Sequence, residues 1–455
     1  MTGLHHRLAL VAVVSTLLAA SAVPSAAVQD LAPPPQSKPE ATPAPVAGEE
    51  KPAPPPPLVL DAGSRFDLST YEAALGRIAA AYPDLLRVRS LGKSRGGRDV
   101  WLAVAADDAG GDAGRRPAAV VITDLAPMAR EGAGDGARAG TPEAAAAPSR
   151  VAGPQAGLFA LASVLERARA DPKVRERLQR CALYFLPAPD PDSAFPPTDA
   201  DAAPGPRRSR LDRNFPSGWE PFDADPKASG PYPLCEPESQ MLARFLLERL
   251  NVSMVVSLGG RRVRAEGEGK AALEPPPESA PVAGSLESYC REVLDATVLR
   301  PAPWNGANRT STVGTAPEGF FAAAALLEKI LGDLPRLECG APKVERLRPD
   351  VWLVDLPLSN AGELPTAGRG NRGSGIGDVQ LQASGGRVVA CAVDTGAAGT
   401  YEAVRGARGA WPLASLEGHA RVAVRLVVQG EEGASLEAVF ESPRSGRAHV
   451  SVSLR

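Results

Sequence analysis

Apolar residues between Leu86 and Leu258 fall into short runs and alternating positions that predict strands over Leu86–Leu91, Val100–Ala105, Ala118–Thr123, Ala182–Leu186 and Val252–Leu258. Helical spacing of apolar positions predicts amphipathic helices over Ala156–Ala168, Glu236–Leu250 and Gly319–Leu331. Near Phe66 the folded part is expected to begin, because Ser69-Thr70-Tyr71-Glu72 has the spacing of a capping box. That helix runs through Ile78 to Tyr82, and Pro83 closes it. Strands alternating with helices predict an α/β sheet covered on both faces. Beyond Cys339 the helical period disappears. Short strands such as Val351–Leu356, Val388–Val393 and Val422–Val428, separated by Gly-rich turns, predict a small all-β sandwich.

The first sixty residues follow neither pattern. Arg7 precedes a short apolar run over Leu8–Ala20, and small residues follow at Ala20-Ser21-Ala22 and Ser25-Ala26-Ala27. This order predicts a cleaved signal peptide over 1–27 and a secreted or periplasmic protein, the run being shorter than the ~20 residues of a bilayer span. No integral membrane segment is expected after cleavage. Leu31–Leu58 is rich in Pro, Ala and Glu and reads as an extended linker, here bounded at 28–59. The 455 residues are too many for one ordinary core, and the working division is an α/β domain over 60–338 followed by a β-sandwich accessory domain over 339–455.

Charge and cysteine content narrow the partners. A net charge of −3 gives no overall electrostatic footprint for nucleic acid or an anionic membrane. Five widely spaced cysteines (Cys181, Cys235, Cys290, Cys339, Cys391) form neither a dense disulfide framework nor a metal-binding pattern. One bridge is open to them, without assignable partners, and most read as small buried apolar residues.

Several local motifs carry more specific information. They are Gly92-Lys93-Ser94-Arg95-Gly96-Gly97-Arg98-Asp99-Val100, Met128-Ala129-Arg130-Glu131, Asp190-Pro191-Asp192-Ser193, Leu211-Asp212-Arg213-Asn214-Phe215-Pro216, Glu236-Pro237-Glu238 and Ser257-Leu258-Gly259-Gly260. In order and type they resemble the M14 zinc carboxypeptidases over roughly Phe66–Leu334. The resemblance implies a carboxypeptidase-like mixed sheet flanked by helices. It also implies a zinc held by two imidazoles and one carboxylate, with a glutamate as general base.

Position by position, the implied chemistry is missing. The two histidine ligands fall on Met128 and Gly259, and only the carboxylate ligand is kept, as Glu131. Thr297-Val298-Leu299-Arg300 resembles the strand bearing the base, which puts Leu299 at its position; the substrate-covering tyrosine has no counterpart, and Ser279 lies nearest. No histidine exists between His6 and His419 that a shift of register would bring into place. A thioether, a glycine and one carboxylate make a weak zinc site, so no metal is expected. The pair that grips a peptide's terminal carboxylate falls on Asp212 and Arg213, beside Asn214. Asp212 opposes an incoming carboxylate by about 1 kcal/mol at 4 Å if hydrated. An internal Glu131–Arg213 ion pair is expected to replace the metal as countercharge.

Other patterns are better read as structure. Gly92-Lys93-Ser94-Arg95-Gly96 matches a nucleophile elbow formally but leads into a strand and has no histidine partner. Asp190 and Asp192 form a turn rather than a glycosidase pair, and His419 and His449 read as strand or surface residues. Glu131–Arg150, rich in Ala and Gly, reads as an insertion at the mouth of the cleft. Asn360-Ala361-Gly362-Glu363-Leu364-Pro365-Thr366 resembles a turn in β-sandwich domains appended to some bacterial members of the family, which implies a bacterial exported protein. The expectation is a pseudopeptidase that retains the fold and binds peptides or cell-wall peptides with a free C-terminus. Its competitors are an active zinc carboxypeptidase with a rebuilt site and a structural or adhesive cell-envelope module.

Overall fold

The computed structural model describes residues 66–123, 153–195, 211–220, 229–258, 283–299, 318–367, 379–394, 396, 400–406 and 410–455. The expected signal peptide and linker lie outside these residues, as do the insertion at 131–150 and Ser279. The first helix, α1 (Leu68–Ala81), is capped by Asp67 and not by Ser69: the Asp67 carboxylate accepts from Thr70 N at 2.7 Å. The expected capping box is absent because Ser69 already lies inside the helix. Glu72 accepts instead from Trp101 Nε1 at 3.2 Å, tying the helix to the sheet.

Six strands form the first sheet: β1 (Leu86–Lys93), β2 (Asp99–Ala105), β3 (Ala118–Thr123), β4 (Ala182–Leu186), β5 (Val252–Leu258) and β6 (Thr297–Leu299). Their order is β1-β2-β4-β3-β5-β6. β1 and β2 form an antiparallel hairpin, β2 runs antiparallel to β4, and β4, β3, β5 and β6 are mutually parallel. The helices that follow α1 are α2 (Gly153–Ala170), α3 (Pro172–Arg180), the single turn α4 (Pro191–Ala194), α5 (Pro237–Glu248), α6 (Leu286–Glu292) and α7 (Glu318–Asp333).

The two-residue period of a strand explains how they are layered. On β3, Ala119 and Val121 join a core with α1, α2, α3 and α7. Ala118, Val120 and Ile122 join a second core on the opposite face, with α5 and α6. β4 divides in the same way, Leu183 and Phe185 to one core and Tyr184 and Leu186 to the other. A parallel sheet buried on both faces must be apolar throughout, as these strands are.

The second assembly is wholly antiparallel. One sheet contains β13 (Ala410–Leu413), β10 (Val379–Ser384), β15 (Ser435–Ser442) and β16 (Gly446–Ser453). The other contains β12 (Tyr401–Ala403), β11 (Arg387–Asp394), β14 (Arg421–Gln429), β9 (Val351–Asn360) and β7 (Leu337–Cys339), with β8 (Lys343–Arg348) also paired to β9. Alternate residues of β9, β14 and β15 turn inward onto one core around Trp352, Leu426 and Phe440.

This assembly is welded to the first. The Asn360 carboxamide accepts from Arg336 N at 3.0 Å and Gly362 N at 3.1 Å, and donates to Leu364 O at 2.7 Å. Asp333 O, at the end of α7, accepts from Glu363 N and Leu364 N at 3.1 and 3.0 Å. The turn between β15 and β16 carries Arg444, 4% exposed, whose guanidinium donates to the carbonyls of Leu294 and Asp295 (Asp295 at 2.7 Å) just before β6. Ser253 Oγ donates to Arg444 O at 3.0 Å. These contacts all fall at the amino ends of the parallel strands. No disulfide joins any of the five cysteines; Cys181, Cys290 and Cys391 are buried, and burial raises each thiol's pKa. No described helix is long and apolar enough to cross a membrane.

Candidate functional site

In an open α/β sheet the crevice lies beyond the carboxyl ends of the parallel strands, and the motifs gather at that end. Gly259 follows β5 directly in sequence, while Met128 and Glu131 come shortly after β3. All three lie outside the described residues, and with them the expected Glu131–Arg213 ion pair. Leu299 ends β6, in register with Val256 of β5.

Asp212 and Arg213 stand together on a single 3-10 turn (Leu211–Arg213), both half-buried. Leu211 anchors that turn in the core. Arg213 forms no ion pair with any described residue. The next residue, Asn214, is fully buried. Its amide group donates to Ser229 O, Tyr232 O and Cys235 Sγ at 2.9, 3.2 and 3.0 Å. Its carbonyl oxygen accepts from Glu236 N at 3.2 Å and Ser239 Oγ at 2.6 Å. The side chain is committed within the protein, so Asn214 positions Arg213 and the Glu236 loop and offers no surface to a ligand. Ser239 belongs to no motif, and nothing in the sequence marks it for this contact.

A second constraint on the Arg213 turn is Gly284, with φ of +69°. A Cβ there would meet Arg213 O at 2.3 Å. Only glycine tolerates both the backbone angle and the approach. Gly284 also brackets the turn by hydrogen bonds, accepting from Phe215 N and donating to Ser217 O, each at 2.8 Å.

Three motifs that are far apart in sequence interlock beside this turn. Arg95 N donates to Glu238 Oε1 at 2.9 Å, Gly96 N to Asp192 Oδ2 at 2.7 Å, and the Arg95 guanidinium pairs with Glu236 at 2.7 Å. Arg98 Nε lies 3.5 Å from Asp192, and Arg98 Nη1 donates to Pro191 O at 2.9 Å. A Cβ on Gly96 would stand 2.4 Å from Asp192 Oδ1, so the glycine is what lets the turn approach. Asp190 accepts from Ser193 N, which makes Asp190-Pro191-Asp192 the cap of α4. Ser94 is buried and its hydroxyl accepts from Arg98 N, as suits a hairpin turn and not a nucleophile. Far away in the second assembly, His419 and His449 form exposed pairs with Glu363 and Glu437.

Two donor sets bear on metal binding. At the positions where the resemblance implies zinc ligands, the chain supplies a thioether, a carboxylate and a glycine, which does not fit zinc. Asp190, Asp192 and Glu238 hold ligand oxygens within 4.8 Å of one another. An all-carboxylate set suits Mg or Ca better than zinc, and Arg98 with the Arg95 and Gly96 amides already supplies partners to these oxygens. Burial raises the Glu238 pKa, and the nearby Asp190 and Asp192 raise it further against the Arg95 amide bond. The arrangement is a largely buried clasp that fixes the loop.

Residues 71–265 match the zinc carboxypeptidase family, and residues 336–453 match a domain family of unknown function. Among solved structures, carboxypeptidase A from Helicoverpa armigera is similar at 15% identity and a TM-score of 0.37, covering 59% of this chain and 71% of that one. A metallo-carboxypeptidase from Burkholderia cenocepacia gives 15% identity and a TM-score of 0.35, with 59% and 69% covered. Thrombin-activatable fibrinolysis inhibitor gives 15% and 0.33 over 44% of this chain, which spans about half (48%) of that protein. No curated protein matches. The zinc carboxypeptidase family is thus the one that residues 71–265, less than half of the chain, are similar to.

Proposed function

We propose that this chain is an exported pseudopeptidase that uses a carboxypeptidase-like scaffold to hold peptides, cell-wall peptides included, by their free C-terminal carboxylate without cleaving them. The observation that carries the reading is the residue set at the ligand and base positions: Met128, Glu131, Gly259 and Leu299, in a stretch with no histidine from His6 to His419. Neither metal activation of water nor general-base catalysis has its usual group there. Arg213 supports the binding half of the proposal. Its guanidinium sits on a turn held from both sides by Asn214 and Gly284 and matches a carboxylate in a two-pronged contact. Asp212 weakens the grip, so affinities are expected to be modest.

The test combines elemental analysis of the purified protein with a C-terminal cleavage assay and peptide binding on the same sample. The expected result is substoichiometric zinc, no release of C-terminal residues, and binding of free-carboxylate peptides that C-terminal amidation or Arg213→Ala abolishes. Stoichiometric zinc with chelator-sensitive cleavage would establish an active enzyme instead. Absence of any binding at millimolar peptide would leave a structural role. Restoring Met128→His and Gly259→His together is expected to raise zinc affinity by orders of magnitude.

A further inference from the structure

The near balance of charge over the whole chain, −3, conceals one strongly basic concavity. α3 places Lys173, Arg177 and Arg180 on a single stripe, because positions i, i+4 and i+7 share a helix face. Opposite the stripe stands Arg336, on the segment leading into β7. These four cations line a cavity of about 280 Å³ whose wall includes the buried Cys181 and Leu331 of α7.

Counterions do not account for the cluster. One carboxylate, Glu176, lines the cavity and pairs with Arg180 at 2.6 Å; Arg336 pairs with the exposed Glu338 at 2.8 Å. Exposed pairs of this kind are worth at most about 1 kcal/mol and yield readily to a better anion. Arg177 donates to Glu328 O at 3.3 Å, and neither Arg177 nor Lys173 forms an ion pair with any described residue. Complementing the helix dipole explains Arg177 and Arg180, which lie in the last turn. It does not explain Lys173, in the first turn, where a cation is disfavoured, nor Arg336, from another element.

We propose that this cavity is a binding site for a phosphate-bearing small molecule, a phosphomonoester or short polyphosphate, gripped by Lys173, Arg177, Arg180 and Arg336. Several cations against one lining carboxylate suit an anion carrying more than one charge, and guanidinium forks match its tetrahedral oxygens. The cavity is a concavity of small-molecule size, so a soluble ligand fits better than a flat lipid surface. It lies at the opposite end of the sheet from the Arg213 turn and is independent of peptide binding.

The test titrates the intact protein with inorganic pyrophosphate by calorimetry, at constant ionic strength, alongside vesicles containing phosphatidylglycerol. Saturable pyrophosphate binding is expected, weakened about tenfold or more in the double variant Arg177→Gln/Arg336→Gln. Arg177→Lys, which keeps the charge and loses the fork, should fall between, and Arg244→Gln, on α5, should bind like the parent. Melting of each variant without ligand reports that it folds. Heats no larger than an ionic-strength control, equal affinity in the double variant, or adhesion to vesicles without pyrophosphate binding would each overturn the site.

Discussion

Glu238 takes a carboxyl group to a place where only 2% of the residue meets solvent. Burial raises its pKa above the ordinary 4.5. Below that value the folded and unfolded states are both protonated, and the group does not affect stability. As pH rises past 4.5 the unfolded chain gives up its proton first, so the native state loses stability until its own Glu238 ionises. Glu238→Gln keeps an acceptor for Arg95 N without the charge. It is expected to match the parent at pH 4 and to exceed it by about 1 kcal/mol at pH 8, read by denaturant unfolding. A variant less stable at pH 8 would mean that the carboxylate is welcome there. Residue types were legible in the sequence as motifs, but partnerships were not. Asp190-Pro191-Asp192 and Glu236-Pro237-Glu238 could each be singled out, yet their meeting depends on β4 ending beside the start of α5. Asn214 stood beside Arg213 in one motif, and only its burial separates anchoring from ligand contact.

At the scale of elements, Gly284 shows how a short turn governs a neighbour far away in sequence. Gly284→Ala must move Arg213 O out of contact at 2.3 Å and adopt a positive φ. A loss of about 1–3 kcal/mol is expected, together with weaker peptide binding, measured by melting and by titration. Unchanged stability would show that the loop relaxes freely. The strands of the first sheet were legible because burial on both faces makes them continuously apolar, and the observed β3, β4 and β5 coincide with the runs that announced them. α3 was not. Its nine residues hold only Val174 and Leu178 as buried anchors among charged neighbours, too few for an apolar period to stand out. The N-terminus of α1 is ambiguous for another reason: Asp67 and Ser69 are both competent caps, and in the structure Asp67 takes Thr70 N while Glu72 is engaged by Trp101.

For the whole molecule the decisive feature is the seam between the mixed sheet and the antiparallel assembly. Arg444 closes it by donating to two carbonyls before β6. Arg444→Ala would leave the Leu294 and Asp295 carbonyls without their guanidinium donor in a dry place, at an expected cost of about 2–4 kcal/mol, while the bond from Ser253 to the backbone carbonyl at 444 remains. The check is whether unfolding followed by probes in each part remains one transition in the parent and separates or shifts in the variant. If the parent already melts in two independent steps, the seam contributes little. The division into an α/β part and a β part was legible from the change of period near Cys339. Their union was not, because it is made by backbone carbonyls and a turn sequence, Asn360 to Thr366, whose partners lie on α7 and β14's approach.

The placement of that seam has an evolutionary corollary. The strands' carboxyl ends and their amino ends are separate territories, and substitutions that far apart usually act additively. Drift that erases an ancestral reaction at one pole therefore draws no folding penalty from the other, and a lineage can shed its chemistry while its architecture is preserved intact.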